Sequence, residues 1–238
     1  MNDRTIYRVA GISALASITL LFVEFPIYFL RGPLPSAASS DLCAYSVRNA
    51  ANMLTVVFLD MLIYCLFLIF LAGFRQLIRQ ADPACEWLGT LFFGIGVVYA
   101  TVTLLADSFQ GTIALDALSG SPNPSAIRVL MEAQYLLFGS IGLLLIALMM
   151  IVASYATMAS RALPRWSARL GYAGAVICLA FVPSMFAGAP NLAAFYNPAG
   201  WGTTGVIAGF PLAAWMVAVS ILMLGKRKPP LAAEASGA

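Results

Sequence analysis

The chain has 238 residues, of which 61% are hydrophobic and only 10% are charged. Soluble domains carry roughly 25% charged residues, so this composition predicts an integral membrane protein and excludes a large soluble domain. The net charge of +3 does not indicate a nucleic-acid partner, because the basic residues lie beside the ends of apolar runs, where they orient membrane helices. Histidine is absent, which excludes a histidine general base and the commonest protein ligand of metals.

The four cysteines predict neither a metal site nor a disulfide. They are Cys43, Cys65, Cys85 and Cys178, and no pair has the spacing of a metal-binding motif. The sequence also lacks phosphate-binding glycine loops and the motifs of membrane metalloproteases. We therefore expect no metal and no cofactor.

Residues 9–30 form the first predicted span, and they contain a single acid, Glu24. About 20 apolar residues cross a bilayer as a helix. Ser13, Ser17, Glu24 and Tyr28 fall within about 60° of one another on that helix, which predicts a polar stripe. An ionisable side chain at this depth is costly unless it faces protein or water, so Glu24 is a candidate functional residue.

The second predicted span, residues 51–74, follows a predicted loop at residues 31–48 and carries the next acid. Asp60 shares one helical face with Asn49, Met53 and Tyr64. Asp82 and Pro83 then indicate a turn. The second span thus offers a second candidate acid.

The third predicted span, residues 87–106, carries a stripe that includes Tyr99 and ends in Asp107 at the membrane boundary. Residues 108–131 are predicted as the longest connection, although helix-forming residues return at Ser125 and run into the fourth span.

The remaining predicted spans are residues 134–158, 170–188 and 203–224. Gln134 stands at the start of the fourth span, and Trp215 lies inside the sixth. The uncharged, aromatic loop at residues 189–202 is typical of a membrane interface. Residues 1–228 are predicted to form one transmembrane domain, and residues 229–238 a disordered cytoplasmic tail.

Basic residues predict that both termini are cytoplasmic. If the six spans alternate, ten basic residues fall on the side of the termini and three, Arg31, Arg48 and Arg128, on the other. Cytoplasmic loops are enriched in lysine and arginine, so this asymmetry predicts a six-helix bundle with cytoplasmic ends.

This orientation predicts that Glu24 and Asp60 lie about 9 and 13 Å from the outer ends of their helices, since a helix rises 1.5 Å per residue. Neighbouring helices would let both acids face one cavity in the outer half of the bilayer. No basic residue lies within a span to neutralise them, so they should retain protons or meet a cation or water. The candidate ligand-binding residues are Glu24, Asp60, Tyr28, Tyr64, Asp107, Tyr99, Gln134 and Trp215.

Three short motifs resemble an uncharacterised bacterial family of six-helix membrane proteins. They are Val9-Ala10-Gly11, Leu163-Pro164-Arg165-Trp166 before Gly171, and Pro211-Leu212-Ala213-Ala214-Trp215 before Gly225-Lys226. The resemblance implies six helices in a bacterial inner membrane and implies no chemistry. Members of that family often carry an acid near the last tryptophan, which this chain lacks.

Three functions are compatible with these observations. The first is a cavity that binds or transports a small lipophilic or cationic molecule. The second is an intramembrane enzyme, isomerase-like or cyclase-like, in which Glu24 and Asp60 are acid and base toward an isoprenoid or lipid. The third is a structural or partner-binding subunit whose acids only join helices. The lipid bilayer is the one partner that the composition indicates, and nothing in the sequence indicates a homo-oligomer.

Overall fold

The protein is built from α-helices. A computed structural model describes residues 3–28, 33–207 and 209–226, and within these ranges it contains no β-strand. The helices are α1 (Asp3–Tyr28), α2 (Ser39–Ala81), α3 (Glu86–Leu118), α4 (Pro124–Leu136), α5 (Gly142–Ser160), α6 (Arg165–Phe181), α7 (Trp201–Ile207) and α8 (Phe210–Gly225). Five helical stretches of the described chain are long and apolar enough to cross a membrane. The predicted all-α fold is confirmed; the predicted tail, residues 229–238, lies outside the described residues.

Helices α2 and α3 form a long antiparallel hairpin. At its turn, the Asp82 carboxylate accepts a hydrogen bond from the Ala84 amide at 3.0 Å. Further along, the two helices touch at Gly96, where an added Cβ would overlap the Leu71 side chain. This close contact places Leu71 of α2 opposite Gly96 of α3.

Helix α1 packs antiparallel to α2 and also contacts α8. An added Cβ at Gly73 of α2 would overlap Ala10 of α1. On its other side, α1 places Gly11 against the Ser220 carbonyl and the Leu224 side chain. Small residues on both sides therefore bring α1 close to its two neighbours.

The centre of the bundle is an aromatic cluster around Trp215 of α8. Its ring centroid lies 6.1, 5.6 and 6.1 Å from those of Phe70, Phe74 and Phe92. Gly171 of α6 fits against the indole, where a Cβ would lie 3.0 Å from Nε1. These contacts join α2, α3, α6 and α8 into one bundle.

Beyond the apolar spans, α2, α3 and α4 form what we call the helical head, residues 39–50, 110–118 and 124–136. Its small core consists of Leu42, Ile113 and Ile127, which are almost fully buried. The prediction of a loop at residues 31–48 is therefore wrong from Ser39 onward, where α2 begins. In the predicted connection at residues 108–131, α3 continues to Leu118 before the turn that leads into α4. Polar sequence indicated the end of the membrane, but each helix continues because this second core stabilises it.

Helix α4 passes into α5 with a local distortion instead of a break. Residues Leu137–Ile141 form a π-helical turn, and Gly139 has a non-helical ψ of −109°. The Ser140 hydroxyl donates a hydrogen bond to the Val182 carbonyl at 2.7 Å. The helix expected to begin at Ser125 and continue into the fourth span is thus present, with a kink that turns α4 over the bundle.

The predicted sixth span, residues 203–224, is not one continuous helix. Helix α7 ends at Ile207, and Gly209 adopts a left-handed conformation with φ 79° before α8 begins. Pro211 lacks the amide hydrogen that a continuous helix would need, so it lies in the first turn of α8. Helix α8 alone has 16 residues and is about 24 Å long, shorter than a hydrocarbon core of about 30 Å.

One end of the bundle gathers most of the basic side chains. There the Tyr7 hydroxyl of α1 donates a hydrogen bond to Gln80 of α2. Lys226, after α8, lies 5.8 Å from the Tyr7 ring centroid, and burial lowers its pKa. The described basic residues of this end are Arg4, Arg8, Arg75, Arg79, Arg161, Arg165, Arg169 and Lys226. We call it the basic end; the helical head lies at the opposite end.

Candidate ligand-binding cavity

A cavity of about 550 Å³ lies between the bundle and the helical head. Its wall combines α1, α2, α3, α4, the segment at residues 192–199, α7 and α8. Most of the lining side chains are apolar or aromatic, and Glu24 and Asp60 are the only charged residues among the described ones that line it. Pockets of this size with few polar groups are the usual form of small-molecule sites.

Glu24 and Asp60 meet because the contact between α1 and α2 sets their register. Glu24 lies 14 residues after Ala10, and Asp60 lies 13 residues before Gly73, the glycine that Ala10 touches. In antiparallel helices, such nearly equal steps in opposite directions lead to neighbouring positions. The two acids are only 6% and 7% exposed, and their side chains are hydrogen-bonding neighbours.

The same rule brings Asp107 to Asp60 from the other side. Asp107 lies 11 residues after Gly96, and Asp60 lies 11 residues before Leu71, its contact across the hairpin. Asp107 is only 1% exposed, does not line the cavity, and is a hydrogen-bonding neighbour of Asp60. Asp107, predicted as a ligand-binding residue, is therefore not on the cavity wall but buried behind Asp60.

Neutralising partners for this acid cluster, Glu24, Asp60 and Asp107, are missing among the described residues. Both carboxylate oxygens of Asp107 and the Oε2 atom of Glu24 are buried without a hydrogen-bond donor other than a carboxyl group. A carboxylate can only accept hydrogen bonds, so two carboxyl groups form one only if a proton lies between them. These neighbouring carboxyl groups can hydrogen-bond one another only if the acid cluster holds protons.

Tyrosines predicted from the sequence line the cavity beside the acids. Tyr64 of α2 and Tyr99 of α3 have ring centroids 6.1 Å apart, with their planes at 71°. Phe67, which the sequence did not indicate, packs edge-on against Tyr99 at the same distance. This edge-to-face packing fixes the rings as a rigid aromatic wall next to the acid cluster.

Amide side chains form the cavity wall on the side of the helical head. Gln134 of α4 donates a hydrogen bond to Gln110 of α3 at 2.8 Å, and Gln110 donates to the Met53 carbonyl at 3.4 Å. Asn49 and Asn52 of α2 line the same part of the cavity. Asn52 was missed because it lies about 60° outside the predicted stripe through Asn49, Met53, Asp60 and Tyr64.

Besides Asp107, two predicted ligand-binding residues, Trp215 and Tyr28, are not placed at the cavity. The structure does not put Trp215 there, because its indole packs among Phe70, Phe74 and Phe92 and is only 1% exposed. The Tyr28 side chain lies outside what the structure describes. The described residues also contain no group of three acid or cysteine side chains arranged to hold a metal ion.

Comparison with known proteins assigns no relative. The chain matches no protein-family model, no curated protein and no solved structure. The resemblance to a six-helix bacterial family therefore stays a prediction, and the function has to be argued from the cavity itself.

Proposed function

We propose that this chain is a multi-pass membrane protein whose cavity binds or transports a small lipophilic or cationic molecule. The observation that carries the proposal is the position of Glu24 and Asp60. Both are buried on the wall of a largely apolar cavity, and no described lysine or arginine lines it. A bound cation would supply the opposite charge that the acids lack, and Tyr64 and Tyr99 could face its apolar part.

We also propose six membrane passes with both termini in the cytoplasm of a bacterium. Eight described basic residues lie at the basic end, while Arg48 and Arg128 are the described ones at the head end. The positive-inside rule makes the basic end cytoplasmic. Helices α7 and α8 together would complete the sixth pass.

In this orientation the cavity opens toward the outer side of the membrane. Asp60 lies 15 residues from Arg75 along α2, which is about 22 Å. A hydrocarbon core about 30 Å thick that begins near Arg75 would place Asp60 in its outer half. The acid cluster would then be reached from the helical head, through the amide-lined wall.

The contact of Asp60 with two further carboxyl groups favours a second candidate. A buried acid that holds a proton beside one that has lost it can work as general acid and base, here on an isoprenoid or lipid. Incubating the purified protein and its Asp60→Asn variant with bacterial lipid extract tests this candidate. A product that mass spectrometry finds only with the wild type would favour the enzyme.

Ligand binding tests the first proposal. We expect the wild type in mild detergent to bind tetraphenylphosphonium, a lipophilic cation, more tightly than neutral triphenylphosphine oxide. Asp60→Asn should weaken the cation at least about tenfold, since losing one partner of a buried charge pair typically costs about 2–5 kcal/mol. Glu24→Leu, which removes a hydrogen-bonding neighbour of Asp60, should weaken it as well. Titration calorimetry measures the affinity, and native mass spectrometry identifies any molecule that co-purifies.

Exposed acids provide matched controls. Asp41→Asn and Glu132→Gln remove the same groups from exposed positions of the helical head, so both variants should bind like the wild type. Equal binding by all four variants would mean that the acids only join helices, and the proposal would fail.

A further inference from the structure

We infer that the acid cluster exchanges one proton for one monovalent organic cation, with Asp107 as the hydrogen-bond donor that makes ionised Asp60 stable. This inference rests on the proposed binding function and names its ligand class and its coupling. It follows from the arrangement of the three carboxyl groups, with Asp60 in the middle.

The arrangement limits the charge of the acid cluster. Asp60 is a hydrogen-bonding neighbour of Glu24 on one side and of Asp107 on the other. Each of these two contacts requires one proton. The three carboxyl groups therefore hold two protons when both hydrogen bonds form, which leaves one negative charge. A third proton makes the cluster neutral.

One negative charge is best placed on Asp60. As the central group, Asp60 can accept hydrogen bonds from protonated Glu24 and from protonated Asp107 at the same time. Charge-assisted hydrogen bonds of this kind are roughly twice as strong as neutral ones. Asp60 also lines the cavity, whereas Asp107 does not, so the charge would face the ligand.

Without a cation, the low-dielectric surroundings favour the neutral cluster. An isolated charge that is removed from water is costly, and a buried acid avoids this cost by keeping its proton. The cation and the third proton thus compete for Asp60. When the cation binds, the Asp60 O–H bond breaks, the proton passes to water at the amide-lined wall, and the charge of the occupied site stays the same.

The other titratable groups around the acid cluster are phenols and one thiol, which ordinarily are mostly neutral at pH 7. They are the phenols Tyr45 and Tyr64 of α2, Tyr99 of α3 and Tyr135 of α4, and the thiol Cys178 of α6, which faces Tyr99. In the described parts of α1, α7 and α8, Glu24 is the only titratable side chain at the cavity. The carboxyl groups are therefore the source of the exchanged proton.

This charge balance defines the ligand class. A single positive charge matches ionised Asp60, while a divalent ion would require a second proton to leave. The aromatic wall of Tyr64, Phe67 and Tyr99 suits alkyl or aryl groups around that charge. We therefore assign the site to a lipophilic amine or quaternary cation.

The test measures how many protons are released when the wild-type protein, in lipid nanodiscs, binds tetraphenylphosphonium. Titration calorimetry in buffers of different ionisation enthalpy should show about one proton released per cation bound. Linkage of one proton also predicts that affinity falls about tenfold for each pH unit below the midpoint of the profile. Asp41→Asn, on the exposed surface of the head, should behave like the wild type in both measurements.

Asp107 variants test the role assigned to that residue. Asp107→Leu removes the donor at similar volume, so ionised Asp60 becomes less stable and the pH profile should move to higher pH, with at least about tenfold weaker binding at pH 6. Asp107→Asn keeps an N–H donor toward Asp60 and should stay within about threefold of the wild type. A residue that only fills space would not separate these two variants.

The outcomes separate the inference from the function on which it rests. Saturable cation binding with no proton release and no dependence on pH between 5 and 8 would overturn proton exchange while leaving ligand binding in place. Equal pH profiles for Asp107→Leu and Asp107→Asn would remove Asp107 from the mechanism. No binding of the cation by the wild type at any pH in this range would overturn both proposals.

Discussion

The acid cluster is assembled by small residues far from it. Glu24, Asp60 and Asp107 lie on three different helices, and glycines at the contacts with Ala10 and Leu71 decide which residues of these helices face each other. A helix pair is stiff, so an alignment set at one contact persists over the next three or four turns. Packing near the basic end thereby determines the chemistry of the cavity.

Gly73→Ala should disturb both stability and the cavity. The new methyl group would overlap the Ala10 Cβ, which cannot rotate away, so α1 has to move. Overpacking of this kind costs about 1–3 kcal/mol. We expect a lower Tm in detergent and weaker binding of tetraphenylphosphonium, because Glu24 moves away from Asp60.

A control and a rescue make this prediction specific. A Cβ at Gly94 meets no atom within 4 Å, so Gly94→Ala should keep the wild-type Tm. The double variant Ala10→Gly with Gly73→Ala exchanges the two residues across the same contact and should recover most of the loss. Equal Tm values for Gly73→Ala and Gly94→Ala would contradict the proposed role of this contact.

At the scale of helices, the sequence predicted where the apolar spans lie better than where the helices end. Residues 51–74 were predicted as a span, but α2 covers Ser39–Ala81. Hydropathy predicts which residues lie in the membrane, but it does not predict whether a helix continues beyond the membrane into water. Leu42, in the part of α2 before the predicted span, is buried against Ile113 and Ile127. It can be recognised as a core residue only when α3 and α4 are known to pack against this part of α2.

The cavity, too, could be predicted only as far as single apolar runs reveal it, and not where helix packing decides. Glu24 and Asp60 are acids inside apolar runs, so their positions in the sequence are enough to identify them as candidates. To predict that Asp107 is buried, one needs the register of the α2–α3 hairpin, which follows from the position of the turn at Asp82. Trp215 illustrates the opposite case, because an interior tryptophan fits a cavity wall and a packed core equally well from sequence.

Ile127→Ala should loosen the helical head without unfolding the bundle. Ile127 is 1% exposed, and removing such a side chain from a core costs about 2–5 kcal/mol. The head has its own small core, so we expect faster hydrogen exchange at residues 124–136 and unchanged exchange in α5. Val129→Ala, at an exposed position of the same helix, is the matched control. Faster exchange in α5 as well would mean that the head and the bundle unfold together.

At the scale of the whole molecule, the basic side chains and the cavity lie toward opposite ends of the protein. The basic end contains the start of α1, the turn at residues 82–85 and the last turn of α8. The acid cluster and the amides lie toward the head. In the proposed orientation, the basic end would meet anionic lipid headgroups, and the acids would attract a cation from the other side. The direction of access to the cavity therefore depends on the orientation in the membrane.

Cysteine labelling measures this orientation. In a cysteine-free background, Ser121→Cys lies in the exposed turn of the head and Ala84→Cys in the exposed turn of the basic end. We expect a membrane-impermeant maleimide to label Ser121→Cys in intact cells and Ala84→Cys only after permeabilisation, because positively charged loops stay in the cytoplasm. New cysteines are needed because the native Cys85 is buried and would react slowly from either side. Labelling of Ala84→Cys alone in intact cells would reverse the orientation. The cavity would then open toward the cytoplasm, while the cation binding that we propose for Glu24 and Asp60 would not depend on this reversal.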